Sequence, residues 1–440
     1  MTKWSLAYEL LRTVVRQIFR SFYSKIESSG NENIPENSPT LFAANHQNAL
    51  MDPLGILFTS KLQTVFLTRA DIFENPILLK IFTFMKMLPV YRIKDGKEAL
   101  KNNERIFNAS VVILEANMSL ALFPEATHTD KRHLRPIKKA VPRIAFLAEA
   151  KNDFNLNLQI IPVGIYYENY QQSNSNLFIK FGKPIMLKEF KDEFLKNEQK
   201  GYKALREKLQ KEIIPLIIHE PDMDNYDLYE GIRIYYRPVM LQKLKLSSKK
   251  LKNSFEADQT TINKLKEFYI DKDNDINELN KCFFDYANIF KQLGIPTMNS
   301  APKPIMKLIG SSLLFIMGFP IFLFGFLNNY VYYRLITTFL KKVKDPQFHS
   351  SIKFAISLLI SFVLYPIHGL IFWAISGNGS YSLVYTLLLP LTALFANKYR
   401  YAFMNFKNNI IYWKYTKSSK SNHLARLKTN LDLLLEKNIG

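Results

Sequence analysis

Residues 41–53 read LFAANHQNALMDP, an apolar run followed by a polar stretch and an Asp-Pro pair. This order is typical of a buried strand that turns into a helix, since Asp is a favoured N-cap and Pro suits the first helical position. Five residues separate His46 from Asp52. On one regular helix the two side chains would lie far apart around the axis, so they meet only if the segment is a turn that enters a helix.

A histidine and a carboxylate that meet in this way suit proton transfer. Imidazole takes up a proton near neutral pH, and a carboxylate orients the ring and stabilises its cation. The same pattern fits a purely structural role, in which Asp52 caps the helix and His46 is a loop histidine with satisfied hydrogen bonds. This stretch alone leaves both interpretations open.

The chain from residue 36 to residue 185 alternates between strand-like and helical patterns. Short apolar runs indicate strands at 40–44, 120–123 and 159–165, and longer patterned stretches indicate helices at 76–87 and 98–117. The alternation predicts an α/β domain, a sheet flanked by helices. Residues 190–300 are polar and mostly helical by pattern, and we find no catalytic motif in them.

Composition excludes several protein classes. The chain has 440 residues, of which 48% are hydrophobic, including 34 Phe and 23 Tyr, so general disorder is excluded. The single cysteine, Cys282, cannot form an intramolecular disulfide, which excludes a disulfide-stapled secreted domain. No Cys/His cluster has the spacing of a zinc site.

Positive charge is concentrated in the last third of the chain. The net charge is +21, and residues 301–440 hold 16 Lys and Arg against three acidic residues. The same region contains two long stretches without a charged residue, 308–333 and 354–397. Basic residues that flank apolar spans favour a membrane over nucleic acid as the partner, and no nucleic-acid-binding motif is recognisable.

Three apolar segments in this region, 308–327, 354–375 and 381–397, are candidates for membrane crossing. Basic residues on both sides of the second and third segments predict a hairpin whose two ends lie in the cytoplasm. Pro320, near the centre of the first segment, suggests a re-entrant helix pair instead of a crossing. Three and four inserted segments both fit the pattern, and buried helices of a globular core are the alternative.

The N-terminal segment has a different pattern. From Trp4 to Ile26 apolar residues recur at helical spacing, and arginines such as Arg12 and Arg16 lie between them. These charges interrupt the apolar core that a signal peptide needs, and they suit a helix that lies in the membrane surface. The alternative is an ordinary amphipathic helix packed on its own domain.

Five segments together resemble the ordered sequence blocks of the glycerolipid acyltransferases. They are the 45–53 stretch, PVYR at 89–92, FPEATH at 123–128, LRPIKKAVPR at 134–143 and IPVGI at 161–165. The resemblance covers roughly residues 30–190 and includes the bacterial glycerol-3-phosphate and 1-acylglycerol-3-phosphate acyltransferases. Two features depart from the usual pattern. Most bacterial members have four residues between His and Asp, and Ala126 stands where the third block usually has glycine.

The resemblance implies an O-acyltransferase that moves a fatty acyl group from acyl-CoA or acyl-carrier protein to a glycerol hydroxyl. His46 would be the general base and Asp52 its orienting carboxylate. Substrate binding falls, by the same resemblance, to the acceptor-binding residues Arg92 and Glu125 and to Lys139 and Arg143, which would add positive charge for CoA or lipid phosphate. No metal or redox cofactor is expected. No acyl-enzyme is required either, because the acceptor hydroxyl itself attacks the thioester.

The complete expectation is a five-part chain: a membrane-surface helix at 1–29, an acyltransferase domain at 30–190, a helical region at 191–300, transmembrane helices at 301–400 and a basic cytoplasmic tail at 401–440. Such a protein would be an integral protein of a bacterial inner membrane with a cytoplasmic active site. The predicted function is phospholipid biosynthesis with glycerol 3-phosphate or 1-acylglycerol 3-phosphate as the acceptor. Alternatives are dihydroxyacetone phosphate or another lysophospholipid as the acceptor, or a non-catalytic membrane-binding protein on the same fold.

Overall fold

The computed structural model describes residues 3–91, 97–127, 129–220, 222–271, 273–296 and 305–440. Internal contacts divide the chain into two compact units. The first unit comprises Met1–His219 and Asp345–Phe354, and the second comprises Glu220–Lys344 and Ala355–Gly440. The five domain limits drawn from the sequence stay predictions.

The first unit is built around one sheet. Among the described residues its strands are β1 (Lys25–Ser29), β2 (Thr40–Ala44), β3 (Val65–Arg69), β4 (Met87–Val90), β5 (Ser119–Leu122), β6 (Gln159–Tyr167), β7 (Asn176–Phe181) and β8 (Ile185–Met186). Its helices are α1 (Leu6–Phe22), α2 (Met51–Thr59), α3 (Pro76–Phe84), α4 (Lys97–Glu115), α5 (Ala140–Lys151), α6 (Lys191–Lys196) and α7 (Glu198–Ile213).

The strand order is β1-β7-β6-β2-β5-β3-β4. Strand β8 pairs with the first two residues of β6, Gln159 and Ile160. Strand β2 lies at the centre and pairs parallel with both β5 and β6. Only the pairings of β6 with β7 and with β8 are antiparallel among the described strands. Because neighbouring parallel strands end at the same edge of a sheet, the segments that follow β2 and β5 meet there.

Alternate side chains of β2 point to opposite faces of the sheet, and each face has its own core. Leu41 and Ala43 belong to a buried cluster that includes side chains of α4, α5 and α7. Phe42 and Ala44 belong to a second cluster with side chains of α1 and α2. Helices therefore cover both faces of the sheet, which confirms the predicted α/β fold with a sheet flanked by helices.

The N-terminal helix α1 is shorter than its sequence pattern. It begins after Ser5, whose side chain accepts a hydrogen bond from the backbone N–H of Tyr8, and it ends at Phe22. Residues Lys25–Ser29 leave the helical pattern and form strand β1, which pairs parallel with β7. The backbone N–H and C=O groups of this segment thus find their partners in the sheet and not in a continued helix, so α1 ends before it.

The rest of the chain is helical. Its described helices are α8 (Tyr226–Lys243), α9 (Leu251–Asp271), α10 (Asp273–Gln292), α11 (Ile305–Asn328), α12 (Tyr330–Lys342), α13 (His349–Leu359), α14 (Tyr365–Ser376), α15 (Gly379–Thr416) and α16 (Ser421–Ile439). A π-helical segment, Ile360–Leu364, joins α13 to α14. Within the second unit α8 packs on α9, α10 on α16, and α11 and α14 on α15.

Three helical stretches of the described chain are long and apolar enough to cross a membrane: Gly310–Asn328, Pro346–Ser376 and Gly379–Thr416. They overlap the three segments predicted from the sequence. The predicted break at Pro320 is wrong, because α11 runs continuously through it. A proline removes one backbone hydrogen bond of a helix, and the remaining bonds of the helix keep α11 intact.

The segment predicted to be a basic tail is largely helical. Helix α15 continues to Thr416, and α16 buries Leu424, Leu431 and Leu435 within the second unit. Asp432 of α16 accepts a hydrogen bond of 2.6 Å from the Tyr235 hydroxyl of α8. The apolar spacing along α16 is therefore a packing face.

A buried charge cluster joins α8 to α9. The Asp258 carboxylate, which is fully buried, contacts Arg233 Nη1, and it accepts bonds of 2.7 and 2.9 Å from Arg237 Nε and Nη2. Glu230 adds a second carboxylate beside Arg233. Each charge in the cluster thus has an opposite charge within hydrogen-bond distance, which offsets the free energy of removing it from water.

We expect Asp258→Ala to lower the free energy of unfolding by about 3–5 kcal/mol, because it leaves buried guanidinium charge without its main counter-ion. Thermal unfolding of the purified full chain in detergent measures the effect. The matched control is Glu256→Ala on the same helix, which removes an exposed ion pair with Lys252 and should change stability by less than about 1 kcal/mol. Equal losses from the two variants would contradict this assignment of the cluster.

Candidate active site

The stretch from Asn45 to Leu50 forms a turn between β2 and α2. Asn45 fastens the end of β2 to β6, since its side chain accepts a bond of 2.7 Å from the Ile165 N–H and donates one of 3.2 Å to the Ile165 carbonyl. Helix α2 begins at Met51, one residue before Asp52. The prediction of a turn that enters a helix is confirmed, but Asp52 is not the N-cap: it lies inside the first helical turn and faces back toward the turn.

The Asp52 carboxylate organises this turn and is itself fully buried. Its Oδ2 atom accepts bonds of 2.7 and 2.8 Å from the backbone N–H groups of Gln47 and Asn48. The same oxygen lies 2.7 Å from His46 Nδ1. Its Oδ1 atom accepts a bond of 2.8 Å from the Tyr167 hydroxyl. Four donors therefore surround one carboxylate, which offsets the cost of burying its charge.

This arrangement fixes both the tautomer and the plane of the His46 ring. A carboxylate only accepts hydrogen bonds, so the bond to Asp52 puts a proton on Nδ1 and leaves the lone pair of a neutral ring on Nε2. The ring also stacks on Phe123, with centroids 4.1 Å apart and an angle of 14° between the planes. The bond to Asp52 thus fixes one edge of the imidazole, and the Phe123 ring packs on one of its faces. A base that takes a proton from a substrate needs such a fixed position.

Tyr167 is a member of this constellation that the sequence patterns did not single out. It ends β6, its side chain is fully buried, and burial raises the pKa of its phenol well above the ordinary value, as does the neighbouring Asp52 charge. The phenol consequently stays protonated and remains a donor. Tyr23, also buried, packs its ring 6.1 Å from that of Tyr167. A tyrosine at a strand end is common in protein cores, so the sequence offers no sign of this contact.

Glu125 lies directly beyond β5, at the edge of the sheet where β2 ends. Its Oε1 atom accepts a bond of 2.8 Å from the His46 backbone N–H, and its Oε2 atom accepts one of 2.8 Å from the Arg135 backbone N–H. The side chain is 1% exposed. Burial raises the pKa of this carboxyl to about 7, against the opposing effect of the two backbone donors. Glu125 thus joins the His46 turn to the loop that follows β5.

Ala126, the departure from the family pattern, adopts a left-handed backbone conformation with φ of +62°. Its N–H donates to the Phe123 carbonyl at 3.1 Å and closes the turn that carries Glu125. A side chain in this region of φ costs about 1–2 kcal/mol, whereas glycine adopts it freely. The geometry explains why glycine suits this position, and shows that alanine preserves the turn at a cost in stability.

A small cleft opens beside His46. It is lined by Glu125 and by Lys131, Arg132 and His133 from the loop after β5, with further walls from β6 and from Ile217 and Ile218. The Arg132 guanidinium donates to the Tyr167 carbonyl at 2.8 Å and lies over the Tyr166 ring. The cleft therefore combines an imidazole with several cationic groups, an arrangement suited to an anionic substrate.

The predicted cations Lys139 and Arg143 are not among the described residues that line this cleft. Lys139 donates to the Gln199 side chain at 2.8 Å, and the Arg143 guanidinium lies over the Phe107 ring. Arg92, predicted to bind the acceptor phosphate, lies outside the described residues, as does His128. Within the described part of the chain no group of three His, Cys, Asp or Glu side chains is placed to hold a metal ion.

Among the proteins similar to this chain are one curated relative and one solved structure. The 1-acyl-sn-glycerol-3-phosphate acyltransferase of Borreliella burgdorferi is 24% identical over 175 residues, a match that covers 40% of this chain and 62% of that protein. The chain thus spans less than two thirds of the length of that relative. The crystal structure of the 1-acyl-sn-glycerophosphate (LPA) acyltransferase PlsC from Thermotoga maritima is 18% identical, with a TM-score of 0.35 and coverage of 47% of this chain and 77% of that one.

A family model described as Acyltransferase matches residues 25–166. The matched range begins at β1 and ends within β6, so it includes His46, Asp52 and Glu125 and the strands that position them. The sequence blocks, the family model and the curated relative agree. The domain that contains the His46–Asp52 turn therefore matches the Acyltransferase family model, and the relative supports its resemblance to the glycerolipid acyltransferases.

Proposed function

We propose that the protein transfers a fatty acyl group from acyl-CoA or acyl-carrier protein to the hydroxyl of glycerol 3-phosphate or 1-acylglycerol 3-phosphate. The observation that carries this proposal is the buried Asp52 carboxylate, which fixes the His46 imidazole beside a cationic cleft. The Acyltransferase family model and the activity of the Borreliella burgdorferi relative support the same reaction class.

In the proposed reaction His46 acts as the general base. Its Nε2 atom takes the proton from the acceptor hydroxyl as that oxygen attacks the thioester carbonyl carbon. Asp52 stabilises the imidazolium through the Nδ1–H bond. The carbon–sulfur bond then breaks, the imidazolium returns the proton to the departing thiolate, and an ester and a free thiol result. The acceptor itself is the nucleophile, so no acyl-enzyme is needed.

Cys282 is a poor candidate for an alternative nucleophile. It lies on α10 in the second unit, outside the matched acyltransferase segment. Burial raises the pKa of its thiol above the ordinary value, which keeps it in the unreactive protonated form. The chemistry of the proposed reaction therefore falls to His46.

For the acceptor phosphate we propose the cations that line the cleft, together with Arg92. Lys131 and Arg132 are the lining residues of the described loop. Arginine binds phosphate through two parallel donors, and each charge-assisted bond contributes roughly 1.5–3 kcal/mol. Lys139 and Arg143 lie farther along the same chain segment, and we assign them a weaker role in attracting the CoA or lipid phosphate.

Glu125 has a positioning role in this proposal. Both carboxylate oxygens already accept backbone N–H bonds, one of them from His46 itself. Each oxygen keeps a second lone pair, so a bond from a glycerol hydroxyl is compatible with the geometry. The primary effect is nevertheless on the base: Glu125 fixes the backbone from which the imidazole projects.

Membrane association is the second part of the proposal. Three described helices have the length and composition of membrane spans, and α1 exposes apolar side chains next to basic ones. An enzyme anchored in this way meets lipid acceptors directly. We propose an inner-membrane protein whose active site faces the cytoplasm, as the basic flanks of the spans favour.

His46→Ala should lower turnover by about 10²–10⁴-fold, because the acceptor hydroxyl loses its base. The assay follows labelled acyl-CoA with purified full-length protein, with glycerol 3-phosphate and lysophosphatidate offered in parallel so that the acceptor is identified. His423→Ala, at an exposed histidine of α16, is the matched control and should keep full activity. Near-normal turnover by a folded His46→Ala variant would overturn the proposed mechanism.

Tyr167→Phe should lower kcat by about 10- to 100-fold with little change in KM, since it removes one donor to a charged acceptor that orients the base. Steady-state kinetics with the preferred acceptor measure this. The control is Tyr235→Phe, which removes the same kind of tyrosine–aspartate bond in the second unit. It should reduce stability and leave kcat unchanged. Equal kcat values for the two variants would assign Tyr167 a structural role only.

The raised pKa of Glu125 makes stability depend on pH. Between its ordinary value of 4.5 and about 7, the unfolded chain releases this proton while the folded chain keeps it, so the contribution to stability falls as pH rises, by about 3 kcal/mol in all. Above pH 7 it is constant. As the pH rises from 5 to 7.5, the free energy of unfolding should therefore fall less for the Glu125→Gln variant than for the wild type. Thermal unfolding of both proteins across this pH range measures the difference. Parallel pH profiles of the two proteins would contradict the assignment.

A further inference from the structure

A short segment from far along the chain completes the first unit. Residues Asp345–Phe354 belong to this unit, although the match to the family model ends at residue 166. Phe354 is buried in the core cluster that includes side chains of α1 and α2. Its ring centroid lies 5.9 Å from that of Phe19 and 6.1 Å from that of Phe22. Burial of this aromatic side chain fixes the position of the stretch, here called the 345–354 segment.

The 345–354 segment contacts the turn that carries the base. Ser351 Oγ accepts a hydrogen bond of 3.0 Å from the Leu50 backbone N–H, although the two residues are 301 positions apart in the chain. Ser351 lies in the first turn of α13 and is itself buried. This bond fixes the end of the turn, as the bond from the His46 N–H to Glu125 fixes its beginning.

A second contact joins the same segment to the turn through one carbonyl group. Tyr170 lies in the loop between β6 and β7, and its carbonyl oxygen accepts a bond of 2.6 Å from the Ser350 hydroxyl and one of 3.0 Å from the Asn48 side chain. Ser350 and Asn48 are both fully buried. Lys353 donates to the neighbouring Gln171 carbonyl at 2.8 Å. Bonds of this kind between buried polar groups hold three separate chain segments in one arrangement.

The backbone of the turn is strained and needs support from outside. Ala49 has a φ of +35°, a conformation that is unfavourable for a residue with a side chain and that persists only when the surroundings fix it. It lies between Asn48 and Leu50, the two residues whose bonds have just been described. A shift of this turn would move the His46 imidazole, and a small misplacement of a reacting group lowers the rate steeply.

We propose that Ser351 is a positioning residue of the acyl-transfer reaction, and that it acts through the Leu50 N–H on the placement of the His46 ring. The catalytic part of this inference rests on the function proposed above. The 345–354 segment also opens the long apolar stretch Pro346–Ser376. The placement of the base therefore depends on the start of a candidate membrane span, far outside the sequence blocks that carry the chemistry.

Two variants of nearly equal size test the role of the hydroxyl group. Ser351→Thr keeps an acceptor oxygen, whereas Ser351→Val has a methyl group in its place, and both add similar bulk. We expect kcat of the Val variant to be about 5- to 20-fold below that of the Thr variant, with KM values within about twofold of each other. Ser351→Ala, which adds no bulk, should lose a similar factor relative to the wild type.

The matched control is Ser361→Ala in the same apolar stretch. It removes a hydroxyl that donates at 2.9 Å to the Ser357 carbonyl of its own helical stretch, and it should leave kcat unchanged. Thermal unfolding of every variant verifies the fold. Steady-state kinetics use labelled acyl-CoA and the purified full chain, with glycerol 3-phosphate and lysophosphatidate as acceptors.

Hydrogen–deuterium exchange measures the bond itself without acyl transfer. Resolved to single residues by fragmentation mass spectrometry, the Leu50 amide should exchange at least about tenfold faster in the Val variant than in the Thr variant. Faster exchange with equal kcat values in an active enzyme would overturn the proposal and leave Ser351 a structural role only. Equal exchange in the two variants would overturn the contact as well.

Failure of the proposed function gives a different result. Wild-type protein that transfers no acyl group to either acceptor would overturn that function together with the catalytic role of Ser351. The exchange of the Leu50 amide would still report whether the 345–354 segment holds the turn.

Discussion

The burial of the Asp52 carboxylate is the constraint on which the rest of the site depends. A charge removed from water needs donors on all sides, and this one has two backbone N–H groups, an imidazole and a phenol. Meeting that requirement bends the chain after β2, sets the start of α2 and fixes the His46 tautomer. The structural and the chemical interpretations of this aspartate are therefore not alternatives, because the same hydrogen bonds serve both.

The sheet topology explains why separate sequence blocks act together. Strands β2 and β5 are parallel neighbours, so His46 and Glu125 emerge at one edge although they lie 79 positions apart along the chain. The hydrogen bond from the His46 N–H to the Glu125 carboxylate means that the sequence block at 123–128 supports the block at 45–53. Position 126 completes this support: its left-handed conformation turns the chain so that Glu125 points back toward the histidine turn.

Polar chemistry and an apolar exterior coexist in the first unit. The cleft beside His46 is rich in cations, whereas α1 and α3 expose apolar side chains elsewhere on the same unit. An anionic head group and an acyl chain are the two parts of a phospholipid precursor, and they need these two kinds of surface. The distribution of residues in the unit thus agrees with an acyltransferase that works at a bilayer.

The sequence by itself determined the α/β class, the central strands β2, β5 and β6, the three long apolar helices and the candidate pair His46 and Asp52. These features follow from periodicity, apolar length and local chemistry, which act over short distances along the chain. Only the tertiary structure decided that Tyr167 and Phe123 hold the base, that Glu125 bonds the His46 backbone, and that Lys131 and Arg132 line the cleft. The physical reason is that these contacts join residues across parallel strands, whose alignment depends on the packing of the whole sheet and leaves no periodic signal in the sequence.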